Sequence, residues 1–502
     1  MRKINWLYSL LTLASFGSIA QLAPPTDTLR QQYQAGQKIA SRSFAGYFYP
    51  NRNQLYALPE KAFVATIDSL RSTFQTGLDR YKIQSNNADT TFIAAEQTGI
   101  HFFFDKLLLD YPYFHEIATG KKGKLSLSTQ NRLDANLSYF NHPALLNSED
   151  LKAYVRGFLQ HAATAELRKS VYKRMDNQRL NSTLKIIPVY FTNQTCRDFW
   201  QYDYLNNHIE NLGAKTLENV IRSFRASCRD TAYKRKIIAL YTEAKKEREN
   251  HLIKTYKTVN GFDLDIHLFL PDSAAATQRP VIVYFSGGSW TNGSPEWAFY
   301  NCAAYAKKGW VAASVEYRLA DRQGTTPFEA VKDARSAIRW LRKHAQEYNI
   351  DTHKIVVTGN SAGGHLILAT ALADKWNEST DDLHYSPTPN LLMVNAGVYD
   401  FMQDENTAWV SKDLKDKNTV KEISPVHLVK KGLPPMLLIH GTHDQSVPYS
   451  TAKAFATASK EAGNEVEFQT LEGAGHAIWF DRRFTQKIAA LRAAFLKKYG
   501  YE

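Results

Sequence analysis

Three side chains in the second half of this 502-residue chain have the types and the order needed for acyl transfer: Ser361, Asp444 and His476. Ser361 lies in Gly359-Asn360-Ser361-Ala362-Gly363, a G-x-S-x-G pattern preceded by the β-branched run KIVV and followed by GHLILATAL. Strand, sharp turn and helix form the context in which a serine is presented as a nucleophile. The helix N-terminus then aims partial positive charge at the reaction centre. Gly359 and Gly363 fit that role because Cβ atoms there would collide with the neighbouring helix and strand. A serine hydroxyl also needs a base, and the base needs a group to orient it. Asp444 ends the stretch PPMLLIHGTHD, just past an apolar run, and His476 sits in the small-residue loop of TLEGAGHAIW. Loops that follow parallel strands emerge at the carboxyl edge of the sheet, where such sites form.

An acyl-transfer site also needs donors for the developing oxyanion. VYFSGGSWTNG places Gly287 and Gly288 after a strand run, so backbone N–H groups there can turn inward. With the N–H of Ala362 they would stabilise a tetrahedral intermediate by about 2.7–4 kcal/mol per donor. Asp400, in NAGVYDF, follows another strand run and is the rival acid. His440 and His443 crowd Asp444, but no further ligand with recognisable spacing accompanies them; they read as loop-packing residues, and no metal is expected. His365, one turn into the helix after Ser361, reads as structural.

The elements that must position these residues begin near residue 251. TYKTVNGFDLDIHLFLP carries Asn260-Gly261 between alternating apolar and polar residues, a strong hairpin signal. Then RPVIVYFSGG, WVAASVEYR, KIVVTGN, NLLMVNAG, PPMLLIHGT and VEFQTLEG read as strands, with helical patterns such as FEAVKDARSAIRWLRKHAQEY between them. Apolar runs separated by helices predict a mostly parallel α/β sheet covered on both faces over 251–502. Residues 21–250 instead carry helical periodicity and no motif with recognisable chemistry, so they read as a mainly α-helical domain of unknown role. Phe63, Ile67, Leu70, Phe74 and Leu78 share one helix face; Leu151, Tyr154, Val155, Phe158, Leu159 and Ala162 share another, with Asn147 or Ser148 available as its cap. RKIIALYTEAKKERENHLIK reads as a charged helix closing the region, and LKIIPVYFTNQ is ambiguous between extended chain and loop.

A net charge of +13 spread over the whole chain, without a concentrated Lys/Arg run, reads as a solvated basic surface and argues against a nucleic-acid partner. Residues 1–20 join Arg2 and Lys3 to the apolar run INWLYSLLTLASF and a small-residue SIA, the pattern of an export signal. That run is short of the roughly 20 apolar residues of a membrane span, so an exported, periplasmic or secreted protein without stable membrane insertion is expected. Cys196 and Cys228 either pair or stay as two buried thiols, and Cys302 reads as a core residue.

The second half resembles the α/β-hydrolase superfamily, and within it the BD-FAE-like (bacterial feruloyl/acetyl esterase type) and hormone-sensitive-lipase-like esterases. The resemblance covers roughly 254–500 and rests on FSGGSW, VEYRLA, DARSAIRWLR, GNSAGGHL, IHGTHDQSVP and GAGHAIW. It implies Ser361 as nucleophile, His476 as base and Asp444 as its orienting acid. It also implies oxyanion donors at Gly288, Ser289 and Ala362, with Gly287 in the same loop. Ser286 stands where the family has a loop histidine, and Ser289 where it has a third glycine. The reading is a secreted serine hydrolase of carboxylic esters that needs no cofactor, with a small-molecule or carbohydrate-linked ester as substrate. A prolyl-oligopeptidase-like peptidase is the alternative, although the first half lacks the regularly spaced strands of a propeller. A non-catalytic binding protein on this fold would carry a broken triad, and this one is complete. Oligomeric state is left open.

Overall fold

The structure, a computed structural model, describes residues 28–272, 277–403, 405–412 and 414–501. The expected export signal, residues 1–20, lies outside the described residues. The chain forms two compact units: one runs to Arg168 and adds Ser182–Tyr204 and Phe224–Lys234; the other comprises Lys169–Asn181, Leu205–Ser223 and Arg235–Glu502.

The first unit is helical, as its periodicity predicts. In the helix Glu60–Gln84, Phe63, Ile67, Phe74 and Leu78 of the predicted stripe are buried, and Leu70 is half-buried. Ser148 caps the helix Glu149–Glu166 by accepting from the N–H of Leu151 at 3.3 Å, and Glu149 and Asp150 occupy its first turn. The ambiguous stretch LKIIPVYFTNQ is mostly helix, within Gln178–Tyr190. Pro188 lies in the last turn of that helix, so the backbone bond it forfeits falls at the end rather than the middle. Cys196, Cys228 and Cys302 are buried free thiols. Among the described residues no helix is long and apolar enough to cross a membrane.

The second unit is built on an eight-stranded sheet: β1 (Leu252–Val259), β2 (Phe262–Phe269), β3 (Arg279–Phe285), β4 (Val311–Val315), β5 (Ile350–Asn360), β6 (Leu391–Asn395), β7 (Met436–Gly441) and β8 (Val466–Leu471). Their order is β1-β2-β4-β3-β5-β6-β7-β8, antiparallel as far as β4 and parallel from there on. Asn260 (φ 53°) and Gly261 (φ 84°) make the β1–β2 turn, and two successive positive φ values are those of a type I′ hairpin. Alternate residues of β3 serve opposite faces. Val281, Val283 and Phe285 enter one core with Ile338 and Leu366, while Ile282 enters the other with Cys302, Trp310 and Phe495. Every parallel strand therefore ends at the same edge with both faces already covered.

Sequence texture changes near residue 250, yet the sheet-bearing unit also takes in Lys169–Asn181 and Leu205–Ser223. Charge explains their place. Buried Glu316 receives Lys215 Nζ at 2.7 Å and Arg248 Nη2 at 3.0 Å. Burial alone would raise its carboxyl, but His267, Lys215, Arg322 and Arg248 outweigh that and hold it well below the usual range. Arg322, also buried, donates to Asp176 at 2.6 Å. Removing one partner of a buried ion pair costs about 3–5 kcal/mol, a large share of a typical stability of about 5–15 kcal/mol. A fragment 251–502 leaves Glu316 without Lys215 and Arg248, and Arg322 without Asp176. It is expected to show no cooperative melt by circular dichroism where the full chain shows one; a fragment melting at the full-chain temperature would contradict this.

Candidate active site

β5 ends at Asn360, and the helix Ala362–Leu372 starts two residues later, so the direction of the chain changes at Ser361. Ser361 takes φ 53° and ψ −120°, a conformation side chains rarely adopt. The surroundings enforce it: a Cβ on Gly359 would stand 2.6 Å from the Gly363 carbonyl, and one on Gly363 would stand 2.1 Å from the Phe285 oxygen. The Ser361 N–H donates to Asn395 O at 3.0 Å, tying the turn to β6.

The structure brings the three sequence-selected side chains together. His476 Nε2 is 2.9 Å from Ser361 Oγ, and His476 Nδ1 is 2.7 Å from Asp444 Oδ2. With the Nδ1 proton on the carboxylate side, Nε2 is left to accept the serine hydroxyl. The His476 side chain keeps 21% exposure, so the site is open to solvent. The Asp444 side chain is fully buried. Its Oδ1 accepts from the N–H groups of Ser446 (2.9 Å) and Val447 (2.8 Å). Burial alone would raise this carboxyl, but hydrogen bonds and charge from His440 and His476 prevail and hold it well below the ordinary aspartate range.

Other candidates fall elsewhere. Asp400 accepts from the Met402 N–H at 2.8 Å and lies 3.4 Å from His427. His365 is buried against Trp290 and Phe401, its Nε2 2.7 Å from Ile423 O, and burial pushes its imidazole down to about 4. His443 is exposed. His440 does more than fill the loop: its Nε2 lies 3.1 Å from Asp444 Oδ2 and 3.1 Å from Val447 O. The apolar run before it masked that contact in the sequence.

The loop after β3 presses against the turn. A Cβ on Gly287 would meet Asn360 O at 2.9 Å and Ser361 Cβ at 3.4 Å. Gly288 (φ 121°), Ser289 (φ 52°) and Trp290 (φ 58°) continue with positive φ. Among the described residues, the N–H groups of Gly287, Gly288 and Ser289 donate to no protein acceptor. Ala362, first residue of its helix, has an N–H with no partner within that helix. Although Ser286 replaces the family's histidine, the loop is held: Tyr317 Oη donates to Ser286 O at 2.8 Å, and the Ala320 N–H donates to Trp290 O at 2.9 Å.

The sequence profile of the BD-FAE family matches residues 264–458. The second half of this chain thus carries a BD-FAE domain, and the curated proteins it resembles include esterases. Esterase LipQ of Mycobacterium tuberculosis is 30% identical over 227 residues, 41% of this chain and 52% of its own. Esterase LipC of the same organism is 28% identical over 216 residues, 40% of this chain and 53% of its own. The chain thus spans about half the length of the curated relatives it matches. A thermophilic esterase of known structure from Thermogutta terrifontis shares 36% identity, covering 51% of this chain and 94% of its own, with a TM-score of 0.47. The BD-FAE match includes Ser361 and Asp444 and ends before His476, which reaches them through its position after β8.

The depressed Asp444 carboxyl sets a pH dependence. A lowered folded-state value gives stability that is complete above the ordinary aspartate value of about 3.9 and is lost as pH falls toward the folded value. The melting temperature of Asp444→Asn should therefore trail the wild type by a constant margin above about pH 5, and the margin should shrink below it. Parallel melting curves from pH 7 to pH 3 would contradict this assignment.

Proposed function

We propose that this protein is an exported serine hydrolase that cleaves carboxylic esters through an acyl-enzyme. The observation that carries the reading is the continuous contact from Asp444 through His476 to Ser361, at 2.7 and 2.9 Å. His476 Nε2 takes the hydroxyl proton as Ser361 Oγ bonds to the ester carbonyl carbon. The imidazolium that results is held by the buried, ionised Asp444. Negative charge on the carbonyl oxygen meets the N–H groups of Gly288, Ser289 and Ala362, with Gly287 next to them. Collapse expels the alcohol, which receives its proton from His476. Water, deprotonated by the same imidazole, then releases the acid. No cofactor enters these steps.

The relatives support ester rather than amide chemistry, since they include esterases and a probable carboxylic ester hydrolase, LipM. The family resemblance favours a short acyl group carried on a carbohydrate, and the N-terminal charge and apolar pattern supports export. Purified full-length protein is expected to hydrolyse p-nitrophenyl acetate and to prefer acetyl over feruloyl and peptide-amide substrates in a panel. Ser361→Ala should reduce kcat by about 10⁴-fold or more and abolish labelling by a fluorophosphonate. Equal activity in wild type and Ser361→Ala would overturn the mechanism.

A further inference from the structure

We propose that the segment Leu205–Ser223, which sequence texture groups with the helical half, positions the oxyanion loop of the hydrolase. This rests on the reading of 286–289 as that loop. The segment contributes the end of the helix Gln194–Leu212, whose last carbonyls have no partner within the helix. Two of them accept from the segment that closes the loop: Asn211 O from the N–H of Gly293 at 3.0 Å, and Glu210 O from Trp297 Nε1 at 3.2 Å.

Gly293 stands directly behind the proposed donors. A Cβ there would lie 2.7 Å from Gly287 O and 2.8 Å from Ser286 Oγ, so a shift of Gly293 carries into residues 286 and 287. The helix ends at Gly213 (φ 79°), where a Cβ would come within 3.1 Å of Glu296 and 3.2 Å of Ser294. Glu296 is held from its other side by Arg248 at 2.8 Å and accepts from Ser294 Oγ. Lys215 then fixes the segment to β2 through Asp265 (2.6 Å) and to Glu316 (2.7 Å), the residue after β4.

A second contact acts on the same loop. Thr216 Oγ1 donates to Asp176 at 3.0 Å, and Asp176 accepts from Arg322 at 2.6 Å. The short helix Ala320–Gln323 carrying Arg322 donates backbone N–H groups to Trp290 O (2.9 Å) and Thr291 O (3.1 Å). The loop therefore sits between a helix end and a helix start, and both are held by residues before 224. Asn211 and Gly213 are positioning residues: they touch no reacting atom.

The test uses the full chain with two variants. Gly213→Ala places a methyl group against Glu296 and Ser294, and Trp297→Phe deletes the donor to Glu210 while keeping an aromatic ring. Each is measured for kcat and KM on p-nitrophenyl acetate and for Ki of an aryl trifluoromethyl ketone, with active sites counted by fluorophosphonate. The ketone adds Ser361 Oγ to its carbonyl carbon, so its oxygen takes the negative charge and the proton passes to His476; its affinity reads the donors. Expected is a kcat lower by about tenfold, KM within about twofold, and Ki raised by the same factor as kcat falls. Misfolding lowers the active-site count and leaves Ki alone. A rise of Ki with the fall of kcat in either variant supports the proposal; Ki at the wild-type value in both overturns it, and if Gly213→Ala does not fold, Trp297→Phe decides alone. A wild type that cleaves no ester and takes no label overturns the hydrolase reading itself.

Discussion

Holding Ser361 at φ 53° and ψ −120° costs on the order of 1–3 kcal/mol, and such strain persists only where the surroundings over-determine it. Here β5 is paired on both sides up to the turn: Gly359 faces Phe285 of β3, and Asn360 faces Asn395 of β6. Absence of side chains at 359 and 363 lets the following helix sit down on β3. The same register puts the loop after β3 beside Ser361. Asp444 and His476 follow β7 and β8 at the same edge. One parallel register therefore gathers groups separated by almost two hundred residues.

Two buried carboxylates show how differently the fold treats charge. Asp444 is surrounded by two amides and two imidazoles, so it stays ionised without a permanent cation beside it. Its charge remains available to a proton arriving on His476. Glu316 meets Lys215 and Arg248 outright, with His267 close by, and its charge is consumed in joining distant stretches of chain. The first arrangement suits chemistry and the second suits architecture.

Much of this was legible in the sequence. Strand runs ending in glycine, the Asn260-Gly261 turn and the order of Ser361, Asp444 and His476 are local signals, and the eight-stranded sheet places them accordingly. Helical stripes were equally readable, because period alone decides them. The failures have physical causes. Pro188 looks like a helix breaker, yet it forfeits one backbone bond only two residues before the helix ends, so it marks the end without preventing the turns before it. His440 ends an apolar run, so its contact with Asp444 was hidden behind its packing. Asp176 and Arg322 stand 146 residues apart, and no periodicity marks an ion pair at that distance.

The scattering of the sheet-bearing unit over three stretches has a consequence for how the chain is made. Residues 169–181 and 205–223 emerge from the ribosome before any strand of the sheet they belong to. Lys215 must wait about a hundred residues for Glu316, and Asp176 longer still for Arg322. Contacts of such separation form slowly and late. During synthesis these stretches carry unmatched charge, which keeps them hydrated rather than sticky. A unit that cannot close early also stays threadable until its last strands arrive.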